Sequence, residues 1–451
     1  MTPRKERRNT PATYNGSQDS TNTAKIKWRE FFTDPYLAAL IDTALSNNQE
    51  LNIVLQEINI ARNEVRARKG EYLPFLSLDG VAGMEKVARY TRPGSVEVNS
   101  EIAPGEEFPD PLPDFLVAAN FSWQVDIWKK LRNARKSAML RYLATTEGKN
   151  FMVTHLIAEI AISYYELMAL DNQMDILRKN IEIQQNALEI VKLEKLAAKV
   201  TELAVRRFEA EVLKNQSRIY HLQQSIIETE NKINFLVGRF PQPIPRNSAS
   251  FIDLIPAPIQ AGIPSQLLQN RPDIRQAELE LEGSKLDVKV ARANFYPSLD
   301  ISAAVGLEAF KAGYLFSKPQ SVLYGLAGGL MAPVVNRNAI KAYYYSANAK
   351  QQQAVYNYER TILNAYIEVA NQLSNIVNMR NSYDLRSQQV QALTQSIDIS
   401  TRLFKSARAD YMEVLLTQRD ALESKFELIE TKMQQMHAVV NIYQALGGGW
   451  N

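Results

Sequence analysis

The chain has 451 residues, room for about two or three ordinary domains, and 45% hydrophobic with 22% charged residues is the composition of a folded rather than a disordered protein. Fifty-two basic and 49 acidic residues leave a net charge of +3, which gives no electrostatic reason to expect a nucleic-acid partner. The absence of cysteine excludes a disulfide framework, a thiolate metal site and a thiol nucleophile.

Residues 1–24 open as MTPRKERRNT and continue as a polar Ser/Thr/Asn stretch to Ala24, which reads as a leader or tether from which export signals have been removed. No run of about 18 apolar residues occurs, so no membrane-spanning helix is expected. A duplicated pattern follows. The segment ELNIVLQEINIARNEVRARKGEYLPFLSLDGVAG from Glu50 matches DIRQAELELEGSKLDVKVARANFYPSLDISAAVG from Asp273, pairing Leu51 with Ile274, Val65 with Val288, Pro74 with Pro297, Leu76 with Leu299 and Gly83 with Gly306. Further on, Ala158-Glu159-Ile160-Ala161 answers Ile367-Glu368-Val369-Ala370, and Leu236-Val237-Gly238 answers Leu446-Gly447-Gly448. A repeat of about 200 residues exceeds solenoid periods. It divides the chain into a first repeat over 25–245, a linker over 246–261 and a second repeat over 262–451.

Each copy has the same order of parts. A helix of roughly 30 residues comes first, closed by a proline that cannot continue a helix interior. Pro74 and Pro297, with Gly83 and Gly306, are assigned to the structural helix-to-strand junctions. Strands are predicted at 75–84 and 115–125 in the first repeat, and at 298–308 and 321–332 in the second. Leu299, Ile301, Ala303, Val305 and Leu307 alternate with Asp300, Ser302, Ala304 and Gly306, and Val117, Ala119, Phe121, Trp123 and Val125 alternate with Ala118, Asn120, Ser122 and Gln124. Runs of about 9–11 residues with this alternation fit strands crossing a bilayer, and equally soluble strands with one buried face. Four strands cannot close a barrel, and an open edge is forbidden in lipid, so strands that span a membrane must be pooled from several chains.

Long helices are predicted over 127–238 and 334–446, with breaks near Ala197–Thr201 and at the matching place in the second copy. Leu156, Ile160, Leu167, Leu170, Met174, Leu177, Ile181, Leu188 and Val191 keep a 3–4 spacing, with Ser163 and Gln184 in the polar gaps. Ile362, Tyr366, Val369, Leu373 and Ile376 do the same in the second copy. Such spacing means coiled-coil packing, in a duct or in a soluble scaffold.

Asn270-Arg271-Pro272-Asp273-Ile274 with Ala293-Asn294-Phe295-Tyr296-Pro297 resembles the opening of the second repeat in the TolC/OprM outer-membrane efflux factors. Trp28–Phe32 with Asp34-Pro35 resembles the opening of their first repeat; Val200–Val205 and Asp410–Leu415 resemble their two hairpin tips. The resemblance implies an α+β membrane protein whose homotrimer forms a twelve-stranded transmembrane β-barrel continuous with a twelve-helix periplasmic α-barrel. It implies an exit duct of a tripartite multidrug-type efflux pump, with a periplasmic adaptor (membrane fusion protein), an inner-membrane RND-type pump and outer-membrane lipid as partners. The lipoprotein branch carries an acylated, palmitate-bearing N-terminal Cys, which this chain lacks. A type I secretion duct for polypeptides shares the fold. No cofactor, metal or catalytic group is implied, and no catalytic motif occurs.

By the same resemblance Met412, Glu413, Leu416 and Arg419 fall at the periplasmic gate, and Lys195, Ala198, Lys199, Thr201, Glu202, Arg408, Asp410 and Tyr411 at adaptor-contacting tips. Glu413 is either one of a ring of carboxylates in a trimer or a solvated helix-face residue. Met412 and Leu416, at i and i+4, form an apolar constriction or ordinary hairpin packing. Ala198 and Ala407 stand where the family usually has glycine, which leaves the turn geometry open. His155 and Glu159 are spaced to hold a metal or to form a solvated pair. Tyr343-Tyr344-Tyr345 suits a lipid interface or a packed core.

Overall fold

The computed structural model describes residues 5–14, 19–316, 319–406 and 408–450. Ala407 and parts of the leader therefore lie outside the described residues. The chain divides into two compact units, one built from Asn59–Tyr142 and Leu279–Val355, the other from Glu6–Ile58, Leu143–Glu278 and Tyr356–Asn451.

Helix α1 (Pro35–Asn47) is capped by Asp34, whose Oδ1 accepts from the N–H groups of Tyr36 and Leu37. Helix α2 (Gln49–Tyr72) follows. The roughly 30-residue helix expected here is thus two helices, because Asn48 interrupts it. Its Oδ1 accepts from Leu51 N–H at 2.8 Å, and its Nδ2 donates to the Leu236 carbonyl at 2.8 Å. Strands β1 (Phe75–Glu85) and β2 (Leu112–Val125) lead to α3 (Lys130–Leu196) and α4 (Glu202–Val237). The second copy gives α5 (Pro272–Ala293), β3 (Ser298–Ala309), β4 (Val322–Met331), α6 (Asn338–Lys405) and α7 (Tyr411–Ala445).

The first unit holds an antiparallel sheet of order β1-β2-β3-β4. Pro74 and Pro297 immediately precede β1 and β3, but Gly83 and Gly306 lie near the far ends of those strands rather than at the helix-to-strand junctions. For Gly306 the reason is steric. It faces Ala118 across the β2–β3 ladder, and a Cβ would lie 2.6 Å from the Val117 carbonyl oxygen and 2.7 Å from Ala118 Cβ. Gly83 has no such neighbour, the nearest atom to an added Cβ being 4.0 Å away. Both ends of the first copy's junction are pinned by hydrogen bonds: Trp123 Nε1 donates to the Tyr72 carbonyl, and Asp126 caps α3 by accepting from Leu131 and Arg132 N–H.

The core of the second unit is the coiled-coil seam. Leu156, Ile160, Leu167, Ile233, Leu236, Ile429, Val440 and Tyr443 share one cluster with Leu37 and Ile41 of α1. A second cluster holds Met174, Leu177, Ile181, Leu222, Leu422 and Phe426. The polar gap at Gln184 is buried and accepts from Asn215 Nδ2 at 2.9 Å across the hairpin. Contrary to the expectation that no helix qualifies, α3 contains a stretch long and apolar enough to cross a membrane, but two thirds of that stretch is buried within the protein, as in a core helix.

The 246–261 stretch is packed, not loose. Arg246 binds Asp171 and Glu230, and Phe251 is fully buried in the core. Over its described residues the leader is also docked: Arg8 pairs with Glu278 at 2.9 Å, Tyr14 stacks on Tyr366 at 5.4 Å, and Asn22 bridges to Ala261.

Candidate gate and two-faced sheet

The hairpin tips are built from backbone geometry first. At the end of α3, Ala198 takes φ +53°, its N–H donates to the Lys195 carbonyl, and Lys199 N–H donates to Glu194 at 2.9 Å. This is a Schellman ending with alanine in the position glycine fills at least cost. The equivalent second-copy bond runs from Arg408 N–H to the Leu403 carbonyl at 2.9 Å. Thr201 and Asp410 stand in extended conformation at the starts of α4 and α7, and neither side chain caps its helix.

Charge closes the first tip. Lys195 pairs with Glu202, which also meets Arg206 at 2.9 Å. The hydrogen bond from Lys195 holds the Glu202 carboxyl below the usual carboxylate range, aided by Arg206. Apolar contact joins the second tip to the first. Tyr411 and Leu415 pack on the cluster of Leu188, Val191, Val205, Phe208 and Val212, with the Tyr411 and Phe208 rings 6.4 Å apart. Met412 Sδ accepts from Arg207 at 3.4 Å. Of the residues placed at the gate by resemblance, Met412 therefore turns to the first hairpin and Arg419 pairs with its neighbour Asp420 at 3.0 Å, while Glu413 and Leu416 remain on the exposed face of α7. Arg207 and Phe208 escaped the sequence reading because their roles depend on the contact between tips. The apolar 3–4 spacing of Val205, Phe208 and Val212 is the signal that was available.

His155 and Glu159 lie 4.0 Å apart, with Lys232 also 3.7 Å from Glu159. Among the described residues no group of three metal-ligating side chains occurs. Tyr344 packs edge-on against Phe295, while Tyr343 and Tyr345 are exposed.

The sheet has two chemically distinct faces. The register sets Leu78 beside Ala119 and Val305 beside Tyr324, so one face carries Leu76 and Leu78 of β1, Val117, Phe121 and Trp123 of β2, Ile301, Val305 and Leu307 of β3, and Tyr324, Leu326 and Leu330 of β4. The other carries Ser77, Asp79, Asn120, Ser122, Gln124, Asp300 and Ser302, with Phe75, Val81, Leu116, Leu323 and Met331 among them. The apolar row is uncovered: Leu78 is 80% and Leu326 81% exposed. Alternation of an apolar face with one that holds the polar residues, over strands of 10 to 14 residues, is the pattern that a membrane-crossing β-strand requires.

One strand pair and one long helical hairpin from each repeat, the four strands joined in a single sheet, are the parts from which an outer-membrane duct would be built. The family model of the outer membrane efflux proteins matches residues 40–239 and 263–448, and the chain belongs to that family. It is 26% identical over 424 residues to the pyoverdine export outer membrane protein OpmQ of Pseudomonas aeruginosa, covering 94% of this chain and 87% of the relative. It is 27% identical to the toluene efflux pump outer membrane protein TtgI of Pseudomonas putida, covering 97% and 90%. The open state of the MtrE outer membrane channel of Neisseria gonorrhoeae superposes with TM-score 0.85 at 21% identity, covering 100% of this chain and 98% of that one. The protein is an outer-membrane efflux channel with a periplasmic helical extension, not an enzyme. The soluble-scaffold alternative is thereby set aside.

Proposed function

We propose that three copies of this chain pool their sheets into one twelve-stranded barrel in the outer membrane, continuous with a twelve-helix tunnel, through which small molecules pass outward without chemistry. The observation that carries this reading is the sheet itself. It has one wholly apolar face, one face that holds its polar residues and two outer strands, β1 and β4, each paired on one side only. Unpaired edges cannot face lipid, so neighbouring copies must complete the ladder. Leu213, Tyr220 and Ile227 of α4 add support. They are exposed at seven-residue spacing, an apolar stripe suited to a further helix.

In this reading the tips meet a periplasmic adaptor, and through it an inner-membrane pump supplies the energy. Lys195, Lys199, Glu202, Arg408 and Asp410 are the charged groups available for that contact. Glu413 and Leu416 line the inner mouth, with Met412 and Arg419 behind them. A native N-terminal lipid anchor is part of the same proposal. Relatives named for pyoverdine, toluene and cation efflux favour small cargo over polypeptide secretion. Detergent-corrected light scattering tests the assembly: the expected mass is three times the 51.1 kDa chain, and a stable single chain overturns the pooled barrel.

A further inference from the structure

We propose that the helix-bearing end of the sheet is a binding site for the headgroup of an anionic phospholipid. The inference rests on the duct reading, in which this end meets the periplasmic leaflet. The antiparallel order brings the starts of β1 and β3 and the ends of β2 and β4 to one level. A cavity of about 470 Å³ lies there, with Val125, Ile127 and Pro297 as apolar wall and Asp126, Lys130, Asn294 and Ser298 as polar wall. Val125 is also the last residue of the apolar row on β2, so the cavity continues the face assigned to lipid tails. At its rim the rings of Trp128 and Tyr296 stack at 4.7 Å, both exposed, and Trp128 Nε1 donates to the Pro297 carbonyl at 2.8 Å, which fixes the indole. Aromatic rings with one polar edge favour this level of a bilayer.

Charge identifies the ligand. Between Asp126 and Lys136 stand five cations, Lys129, Lys130, Arg132, Arg135 and Lys136, against the single carboxylate of Asp126. That carboxylate is buried and committed to the Leu131 and Arg132 N–H groups and to Arg132 Nε, so it does not offset the lysines. Lys129 is exposed and held at φ +58°, a backbone conformation where glycine would cost less. At the opposite end of the sheet the β1–β2 connection has the reverse balance, with seven carboxylates and three cations from Glu85 to Asp114. Positive charge is therefore concentrated at the end that carries the aromatic pair and the amphipathic cavity. A soluble anion would have no use for the apolar wall.

The experiment is native mass spectrometry of the full chain, reconstituted in bilayers of phosphatidylcholine mixed with phosphatidylglycerol and then released in mild detergent. Wild type is expected to retain phosphatidylglycerol selectively. The Lys129→Gln/Lys130→Gln double variant is expected to lose about thirtyfold of that preference, since a lysine near an anionic surface contributes about a factor of five. The Lys129→Arg/Lys130→Arg variant keeps the charge and is expected to keep the preference. Insertion without lipid preference, or undiminished preference in the glutamine variant, overturns this proposal alone. Failure of wild type to insert into any bilayer overturns the duct reading, and this proposal with it.

Discussion

Arg271 donates to Glu368 at 2.6 Å and to the Ala445 carbonyl at 2.8 Å, while the remaining edge of its guanidinium holds Asp273 at 2.8–3.0 Å. One buried side chain thus ties the start of α5 to the middle of α6 and the end of α7. Removing it by Arg271→Ala leaves two carboxylates without their cation and is expected to cost about 3 kcal/mol, read as a lowered thermal midpoint in detergent. Arg271→Lys recovers only part of this, because an ammonium cannot reproduce the forked geometry. Equal midpoints for wild type and the alanine variant would contradict the role.

Gly306 and Gly83 occupy matching places in the two copies, yet only Gly306 is crowded. Gly306→Ala is expected to destabilise by about 1–3 kcal/mol through overpacking against β2, and Gly83→Ala to be close to neutral. Thermal melts of the two variants side by side decide the matter, and equal effects would refute the steric account.

Ala198 bears a left-handed cost of about 1–2 kcal/mol that glycine would avoid, offset in part by the extra freedom of glycine in the unfolded chain. Ala198→Gly is therefore expected to stabilise by about 0.5–1 kcal/mol in chemical denaturation.

His437 lies in the second unit, where burial pushes its imidazole below the ordinary 6.5, with Lys232 adding to the effect and a hydrogen bond to the Ile162 carbonyl at 3.1 Å opposing it. The folded chain protonates this ring only at a lower pH than the unfolded chain, which takes up a proton as pH falls past the ordinary value. Stability from this site is present above that value and lost as pH drops through the lowered one. Wild type is expected to lose more thermal stability than His437→Gln between about pH 7 and 5. Parallel curves would remove the site from the pH response.

At the proposed inner mouth, Glu413→Ala and Leu416→Ala are expected to raise single-channel conductance in planar bilayers, since each withdraws a side chain from the exposed face of α7. Unchanged conductance in both would place the constriction elsewhere.

Period-two alternation from Leu299 and the 3–4 spacing from Leu156 are properties of the residues themselves, so strands and seams could be read directly. Buried Leu156, Ile160, Leu167 and Leu188 occupy the positions that spacing marks. Register is a property of two strands at once, which is why the crowding at Gly306 could not be read from its own neighbourhood. The same holds for Met412 and Arg207, which are far apart in sequence. Polar composition misled in the leader, which looks unstructured, yet Tyr14 is buried there. An average over many polar residues conceals a single aromatic that decides the local structure.

The one-sided pairing of β1 and β4 has a genetic consequence. In the proposed three-chain ring every seam must be sound, so a copy defective at either outer edge spoils the whole ring it joins. In a cell expressing both kinds, intact ducts fall as the cube of the sound fraction, and an edge defect behaves as dominant even though each chain carries its own complete pair of repeats.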